Sequence, residues 1–486
     1  MIKKINENKE ISKLAINFSN CVFFLGLLFS ILILFYAIYK VFNPYYNITD
    51  PIKLNMQLYY LSILFASIST IFFAFGLKKI NYYLKINLSL LLLSIIITIY
   101  CFEIFLEISS RNLQFNFFNK NIQFDKKDKR SKIEVINDLN DPNFTTNYFP
   151  SSFLQAQNLT KQLFKNEKIY PLSGIANSIT VFDNESGYFP IVKMDEYGFN
   201  NPKGLYIKNM IDIMLVGDSF AESNTVNQNE SMAAILRELG FKTITIGKGG
   251  NGPLLELATL IEYAKPFQPN LVLWLYYKND FVNLHDEMNS SFLKNYLYKN
   301  DFSQNLILQQ DKIDRILKKF IKKVWDVESK IAQINFNRIE LENHWAIKIS
   351  KLYNLRSKLS FVGVPLSPTD KNINIDELQN NFKKILKKSK KTVLDWGGEM
   401  YFVYLPAYEH YAYNIEDKNY KFVLDTLKEL EIPVIDIHKD LFESFPDPLS
   451  LFPPNYYHYN AKGYKLIAET INNRLKDDNF IPLESK

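Results

Sequence analysis

Two long stretches without a charged residue, near the start of the chain, most strongly limit what this sequence can fold into. The first runs from Leu14 to Tyr39 and the second from Leu54 to Leu77. Each exceeds the roughly 20 residues that a helix needs to cross a bilayer. A third apolar run, residues 86–102, is long enough if its helix continues through Glu103. We therefore predict a membrane region of residues 1–110 with three transmembrane helices, over residues 14–39, 54–77 and 86–106.

The lysines beside these segments predict the orientation in the membrane, because cytoplasmic loops are enriched in Lys and Arg. The N-terminal segment and the second loop carry seven lysines between them, Lys3, Lys4, Lys9, Lys13, Lys78, Lys79 and Lys85. The longer first loop carries only Lys40 and Lys53. With three spans, this bias places the N-terminus in the cytoplasm and the C-terminal part of the chain outside it. We expect a multi-pass protein of the cytoplasmic (inner) membrane.

The composition excludes several classes of function. A net charge of +6 over 486 residues is small and comes mostly from dispersed lysines, so nucleic-acid binding has little support. The two cysteines, Cys21 and Cys101, both lie in apolar segments and predict neither a disulfide framework nor a zinc site. No cluster of His, Asp and Glu has metal-ligand spacing. We expect no metal and no cofactor.

Beyond the membrane region, a polar stretch gives way to alternating strands and helices. Residues 111–185 predict a stem or linker, and residues 186–486 a folded domain. The predicted strands are Ile211–Val216, Lys242–Ile246, Leu271–Tyr277, Met400–Leu405 and Val434–Ile437. The predicted helices are Ser231–Leu239, Pro253–Ala264, Leu378–Asp395, Tyr420–Leu430 and Asn460–Leu475. Apolar strands joined by helices indicate a parallel sheet covered on both faces.

Residues 284–375 interrupt this alternation and predict a helical insert. Within it, apolar residues recur mostly three or four positions apart, at Ile313, Ile316, Leu317, Phe320, Val324, Val327 and Ile331. This spacing is typical of an amphipathic surface helix. A face that lies on a membrane or binds a partner is the alternative.

Three loops that follow predicted strands carry the residues of a candidate active site, since ligands bind beyond the carboxyl ends of parallel strands. The sequence GDSF places Ser219 directly after the first strand. The sequence IGKGGNGP follows the second strand, and its glycines allow backbone amides to approach a ligand. The sequence YYKND closes the third strand, where Asn279 can direct an amide donor at an oxyanion. Asp280 is expected to accept hydrogen bonds from loop amides.

A serine nucleophile needs a base, and the chain has five histidines. His458 precedes the last helix, with Asn460 as its expected N-cap, and is the predicted base. His410, which follows another strand, is the second candidate. His285 and His344 belong to the insert, and His438 is expected to cap a short helix.

The motifs at Ser219, Gly250, Asn279 and His458-x-Asn460-x-x-Gly463, in this order, resemble the SGNH (GDSL-type) hydrolase superfamily. The resemblance covers about two fifths of the chain. It implies a flavodoxin-like α/β/α fold with Ser219 as nucleophile and His458 as base. It also implies an oxyanion hole formed by the backbone N–H groups of Ser219 and Gly250 together with the Asn279 side chain.

The chain departs from the pattern of this superfamily at two places. Lys278 stands where many members have a glycine before the Asn-Asp pair, and is expected to crowd or charge the pocket. The aspartate usual two or three residues before the histidine is missing, since those positions hold Tyr456 and Asn455. Asn455, or Asp447 looping back, is therefore the candidate group to orient the imidazole.

The resulting hypothesis is a membrane-anchored serine esterase or O-acyltransferase. By analogy alone, its substrates are acyl esters, notably acetyl esters, of a glycan or lipid outside the cytoplasm, and its partners are the bilayer and a membrane-bound acyltransferase. The alternative is a non-catalytic binding or assembly protein of a cell-surface polysaccharide system, suggested by the missing aspartate. A transporter is disfavoured, because the spans carry no ionisable side chain beyond Glu103 and Glu107 at their end.

Overall fold

In this computed structural model, the described residues are 12–42, 56–120, 128, 130–139, 144–155, 169–324, 349, 352, 355, 375–453, 457–480 and 482. They fall into two compact units. The first unit comprises residues 1–123 and 333–372, and the second comprises residues 124–332 and 373–486.

The first unit contains three long apolar helices, α1 (Lys13–Phe42), α2 (Met56–Lys79) and α3 (Tyr82–Lys120). Each includes a segment long and apolar enough to cross a membrane, with mean hydropathies of 2.8, 1.9 and 2.4. The three predicted spans are therefore confirmed as helices of suitable length and composition. Helix α3 begins four residues before the predicted position 86 and continues past 106, since no proline or glycine interrupts residues 82–120.

Two glycines allow α1 and α2 to approach each other closely. A Cβ atom on Gly26 would lie 2.5 Å from the ring of Phe73, and one on Gly76 would lie 2.2 Å from the ring of Phe23. The two phenylalanine rings pack edge to face, with centroids 5.5 Å apart. Small residues opposite large ones are typical of helix contacts in membranes.

A small sheet of three strands opens the second unit. Its strands are β1 (Phe144–Thr146), β2 (Ile179–Val181) and β3 (Ile191–Lys193). Strand β1 pairs parallel to β2, and β3 pairs antiparallel to β2. The loop between β2 and β3 spans residues 182–190 and reaches the candidate active site.

A five-stranded parallel sheet forms the centre of the second unit. Its strands are β4 (Ile213–Val216), β5 (Thr243–Thr245), β6 (Leu271–Tyr276), β7 (Glu399–Tyr404) and β8 (Val434–Asp436). The spatial order is β5-β4-β6-β7-β8, and every pair is parallel. Numbered along the chain this is the order 2-1-3-4-5 of flavodoxin-like folds, in which the ligand crevice lies between the first and third strands. The predicted α/β fold class is confirmed.

Twelve α-helices accompany the two sheets in the described part of this unit. They are α4 (Lys132–Leu139), α5 (Pro150–Gln155), α6 (Ser219–Glu222), α7 (Met232–Glu238), α8 (Pro253–Thr259), α9 (Asp280–Glu287), α10 (Lys294–Tyr298), α11 (residues 310–324), α12 (Ile375–Leu394), α13 (Tyr408–Tyr413), α14 (Tyr420–Glu429) and α15 (Ala461–Asp477). Helix α8 continues into a π-helical turn, Leu260–Ala264. The predicted strands and helices of the α/β part all occur, with ends shifted by up to three residues.

Alternate residues of each central strand bury into opposite faces of the sheet. On β4, Met214 and Val216 belong to one core cluster, and Ile213 and Leu215 to the other. Strand β6 divides in the same way, with Trp274 on the first side. Because both faces are covered, the strands are apolar throughout, as the sequence predicted.

The predicted stem differs from the structure where residues 111–185 are described. Tyr148, Phe153 and Tyr170 are buried in the main core, and Phe153 packs with its ring centroid 5.2 Å from that of Tyr170. Burying these large aromatic side chains is favourable, so they join the core. The sequence did not predict this, because they follow no helical or strand periodicity.

The described part of the insert also joins this core. On α11, Ile313, Ile316, Leu317 and Phe320 are almost completely buried. The apolar face of this helix is therefore occupied, which favours the interpretation as an amphipathic surface helix over a face free for a membrane. Val327 and Ile331 lie outside the described residues.

Candidate active site

Ser219 lies at the first position of α6, immediately beyond the carboxyl end of β4. A short turn joins them, and in this turn Gly217 passes very close to the neighbouring strand β6. A Cβ atom at Gly217 would lie 3.0 Å from the carbonyl oxygen of Leu275. The side chain of Asp218 caps α6 by accepting a hydrogen bond from the amide of Phe220 at 2.9 Å. The sequence Gly-Asp-Ser thus fixes where the Ser219 hydroxyl stands.

The structure brings Ser219 and His458 together although 239 positions separate them in the chain. The Oγ atom of Ser219 lies 2.7 Å from Nε2 of His458. The imidazole also packs against the ring of Phe220, with centroids 4.8 Å apart. Directly after it, Asn460 caps α15 by accepting a hydrogen bond from the amide of Gly463 at 2.9 Å. A hydroxyl within hydrogen-bond reach of an imidazole is the arrangement that activates a serine.

Glu185 faces the other nitrogen of His458. Its two carboxylate oxygens lie 3.0 and 2.9 Å from Nδ1. The sequence predicted Asp447 or Asn455 for this place. The prediction of Asp447 is wrong, because Ser219 and Glu185 contact the two ring nitrogens of His458. The carbonyl of Asp447 accepts a hydrogen bond from Ser450. Asn455 lies outside the described residues.

The loop that carries Glu185 is anchored by its neighbours in the chain. Asp183 forms an ion pair with Lys132 on α4. Asn184 donates a hydrogen bond to the carbonyl of Asp128 at 2.7 Å, and the amide of Asp128 donates to the carbonyl of Gly187 at 2.9 Å. Part of the predicted stem therefore positions a carboxylate of the site.

The charges around His458 determine its protonation. Burial lowers the pKa of its imidazole, but the hydrogen bond to Glu185 and the charges of Glu185, Asp218 and Asp183 raise it, and the net pKa lies above the ordinary value. The carboxylate of Glu185 therefore stabilises the imidazolium that forms when a serine gives up its proton. The pKa of Asp218 is raised, chiefly by its burial.

Two of the three predicted oxyanion donors are backbone amides that are available. Within the described part of the chain, the N–H groups of Ser219 and Gly250 have no hydrogen-bond acceptor. Gly250 adopts a φ of +72°, a left-handed conformation that favours glycine. The loop conformation of this glycine, and its lack of an internal acceptor, suit an amide directed at a ligand.

The third predicted donor, the side chain of Asn279, is next to the serine turn. Its Nδ2 donates to Oδ2 of Asp218 at 3.2 Å, which leaves the second amide hydrogen free for a ligand. Asp280 accepts from the amide of Tyr277 at 3.0 Å, in the structural role predicted for it. Lys278 forms an ion pair with Glu409 at 2.6 Å, so its charge is partly neutralised there.

A buried ion pair that the sequence did not indicate ties the glycine loop to α6. Glu222 and Lys248 are both completely buried and contact each other through Oε1 and Nζ. The second oxygen of Glu222 accepts a hydrogen bond from the amide of Gly249 at 2.9 Å. Glu222 therefore holds the loop of Gly250 against the helix of Ser219. A lysine among glycines gives no signal of burial, because most lysines are exposed.

A second buried carboxylate holds the other end of the glycine loop. Glu287 on α9 accepts hydrogen bonds from the amides of Gly252 at 2.6 Å and Leu254 at 2.9 Å, where α8 begins. Its burial raises its pKa to about 8.

Within the described ranges, no group of three His, Cys, Asp or Glu side chains is arranged to hold a metal ion.

Of the histidines that the structure describes, only His458 forms a hydrogen bond with Ser219. His410, the second candidate for the base, is on α13, and its ring centroid lies 4.7 Å from that of His438. His438 contacts the hydroxyl of Tyr411 through Nδ1 at 2.7 Å. His285 lies on α9, and His344 lies outside the described residues.

Comparisons with known proteins give distant similarities over about half of the chain. No protein-family profile and no curated protein matches the sequence. A lipase/acylhydrolase from Enterococcus faecalis is 13% identical over 55% of this chain and 97% of its own, with a TM-score of 0.31. An acetyl xylan esterase, AlAXEase, is 10% identical over 55% of this chain and 100% of its own, with a TM-score of 0.30. A protein assigned to the lipolytic G-D-S-L family, from Desulfitobacterium hafniense, is 12% identical over 54% and 98%, with a TM-score of 0.31. The fold assignment stands on the strand order of this chain itself.

Proposed function

We propose that this chain is a membrane-anchored serine esterase or O-acyltransferase of the SGNH type. The proposal rests on the contacts among Ser219, His458 and Glu185. The Oγ atom of Ser219 lies 2.7 Å from Nε2 of the imidazole, and a carboxylate oxygen of Glu185 lies 2.9 Å from Nδ1. A hydroxyl, an imidazole and a carboxylate in this sequence of contacts are the parts of a nucleophilic triad.

In the first half of the reaction, Oγ of Ser219 attacks the carbonyl carbon of an acyl ester. Nε2 of His458 accepts the hydroxyl proton, and Glu185 stabilises the resulting imidazolium. The negative charge on the carbonyl oxygen is stabilised by the amides of Ser219 and Gly250 and by the side chain of Asn279. When the tetrahedral intermediate collapses, His458 returns the proton to the departing alkoxide, and the acyl group remains on Ser219.

In the second half, an acceptor attacks the acyl-enzyme. His458 removes the proton of a water molecule or of an alcohol, and Ser219 recovers it as leaving group. With water the reaction is ester hydrolysis, and with a hydroxyl of a sugar it is acyl transfer. The same residues serve both reactions, so which one dominates depends on what the neighbouring surface binds.

The proposed substrates are acyl esters, notably acetyl esters, of a glycan or lipid outside the cytoplasm. The orientation follows from the lysine bias described above, and the three apolar helices act as the membrane anchor. A membrane-bound acyltransferase that supplies the acyl group is the proposed partner. We locate the protein in the cytoplasmic membrane with its C-terminal domain outside.

Glu185 also bears on the alternative of a non-catalytic binding protein. That alternative was suggested by the missing aspartate before His458. Because Glu185 supplies a carboxylate at Nδ1, the main reason to expect a loss of catalysis is removed.

The proposal is tested by p-nitrophenyl acetate hydrolysis with the full-length protein in detergent. The Ser219→Ala variant should reduce the enzymatic rate to background, because no other group provides the nucleophile. Ser444→Ala is the matched control, since Ser444 is exposed and, among the described residues, its hydroxyl donates only to the carbonyl of Leu441. Equal rates for Ser219→Ala and the wild-type protein would disprove the proposed mechanism.

A further inference from the structure

A second cavity opens at the same edge of the sheet as Ser219, beyond β7 and β8. It has a volume of about 190 Å³. Six polar or aromatic side chains that line it are Tyr404, His410, Glu416, Asp417, Tyr420 and His438. Strands lie about 4.8 Å apart, so β7 and β8 place this cavity about 10–14 Å from the end of β4. This is the span of a few linked sugar rings.

The cavity presents acceptors and aromatic faces. Asp417 accepts a hydrogen bond from Tyr404 at 3.1 Å, and the rings of Tyr404 and Tyr420 pack edge to face 4.8 Å apart. Among the described residues, the ring nitrogens of His410 and the carboxylate of Glu416 form no hydrogen bond, although the charge of Glu416 acts on His410. These two groups are therefore available to a ligand that enters the cavity.

The charge of the lining restricts the ligand. Glu416 and Asp417 are carboxylates, and none of the described residues that line the cavity is a Lys or Arg. Burial and the neighbouring His438 lower the pKa of His410, so its imidazole is neutral near pH 7. A phosphate or carboxylate ligand would meet repulsion, whereas a ligand with several hydroxyl groups can donate to these acceptors.

A row of tyrosine rings connects this cavity with the catalytic histidine. Tyr457 immediately precedes His458, and its ring centroid lies 6.0 Å from that of Tyr408. Tyr408 lies 6.1 Å from Tyr413, at the end of the helix that carries His410. Tyr408 is buried, at 6% exposed, whereas Tyr457 and Tyr413 on either side of it are 53% and 61% exposed, so only these two rings of the row face the solvent.

We propose that the exposed rings of Tyr457 and Tyr413, which both pack on the buried ring of Tyr408, form a saccharide-binding track with the cavity at His410 and Glu416. Tyrosine rings offer apolar faces to the C–H groups of a sugar, and the carboxylate and imidazole bind its hydroxyls. A glycan chain on this track would bring an acylated or acceptor hydroxyl to Ser219. The inference rests on the proposed function and selects a neutral glycan, rather than a lipid, as its substrate.

The test compares two substrates that share the chemistry but differ in size. The variants Tyr413→Ala and Glu416→Gln are made in the full-length protein. Tyr298→Ala is the control, because Tyr298 is a similarly exposed tyrosine on α10 that does not line the cavity. Each protein is assayed with p-nitrophenyl acetate and with acetylated xylohexaose. Each is assayed also with p-nitrophenyl palmitate as the lipid-like ester.

The track predicts a loss of kcat/KM of about tenfold on acetylated xylohexaose for each track variant, mainly through KM, and none for Tyr298→Ala. Hydrolysis of p-nitrophenyl acetate should stay within about twofold, since this ester does not reach the track. The track is disproved if the track variants keep wild-type activity on the hexasaccharide, or if they lose activity selectively on the palmitate. It is also disproved if the wild-type protein has no activity on the hexasaccharide. If Ser219→Ala hydrolyses p-nitrophenyl acetate as well as the wild type, the proposed function fails instead.

Discussion

Replacing Glu185 with glutamine removes the negative charge beside His458 while it keeps an acceptor oxygen of similar shape. The carboxylate oxygens lie 2.9 and 3.0 Å from Nδ1, and both side chains are about one fifth exposed, at 20% for His458 and 19% for Glu185. The pair is therefore shielded from most of the solvent. Glutamine at this position leaves the imidazolium of the transition state without its counter-charge.

The magnitude follows from the distance. With about 4 Å between the charge centres and an effective dielectric constant of about 20, the attraction is about 4 kcal/mol. Since each 1.36 kcal/mol of barrier changes a rate about tenfold, Glu185→Gln should lower kcat/KM by about a thousandfold. Glu185→Asp shortens the side chain by one methylene but keeps the charge, and should lower kcat/KM by a smaller factor.

The variant should also change the pH profile, because Glu185 raises the pKa of His458. The neutral imidazole is the base, so activity rises as the pH passes the pKa. Without the carboxylate the charged form is less stable, and the acid limb of the profile should move to lower pH even though the plateau falls. A purely structural role of Glu185 would not move this limb.

The assay is p-nitrophenyl acetate hydrolysis between about pH 5 and 9, with the full-length protein. Glu196→Gln is the matched control, because the carboxylate of Glu196 accepts hydrogen bonds from the backbone amide of Gly204 and makes none with His458. If Glu185→Gln keeps kcat/KM within about threefold of the wild type and the same acid limb, Glu185 is not the positioning residue of this site.

Three further predictions concern the oxyanion donors and the glycine loop. Asn279→Ala should lower kcat about a hundredfold with little change in KM, since loss of one donor typically costs ~3 kcal/mol of transition-state stabilisation, and an unchanged kcat would exclude Asn279 as a donor. Glu222→Gln leaves the buried ammonium of Lys248 without a counter-charge and should destabilise the fold by about 3–5 kcal/mol in denaturant unfolding, with much of this restored in the double variant with Lys248→Met. Gly247→Ala brings a Cβ atom to 2.5 Å from that of Ala221 and should cost at least about 1–3 kcal/mol, measured in the same way. Wild-type stability of either loop variant would contradict the packing described.

The sequence predicted those parts of the site that follow strands. Ser219, Gly250 and Asn279 come directly after β4, β5 and β6, and parallel strands bring their carboxyl ends to one edge. His458 was predicted because it precedes an amphipathic helix with Asn460 at its N-cap. In each case a local sequence pattern identifies the residue, and the parallel topology of the sheet brings these residues to one edge.

Glu185 could not be predicted, because it reaches His458 across 273 positions from a loop without strand or helix periodicity. The sequence near His458 offered Asp447 as the orienting group, but the carbonyl of Asp447 accepts a hydrogen bond from Ser450, and Glu185 contacts the imidazole instead. The burial of Glu222 and Lys248 was hidden for a related reason, since a charged pair shows in the sequence only as two ordinary polar residues. Tertiary packing alone decides these contacts.

Covalent labelling shows directly whether Ser219 is an activated nucleophile. The full-length protein is treated with a fluorophosphonate probe and digested, and the labelled peptide is identified by mass spectrometry. We expect a single adduct on Ser219 that is lost in His458→Ala, because the hydroxyl then has no base. An adduct on another serine, or equal labelling of Ser219 without His458, would contradict this expectation.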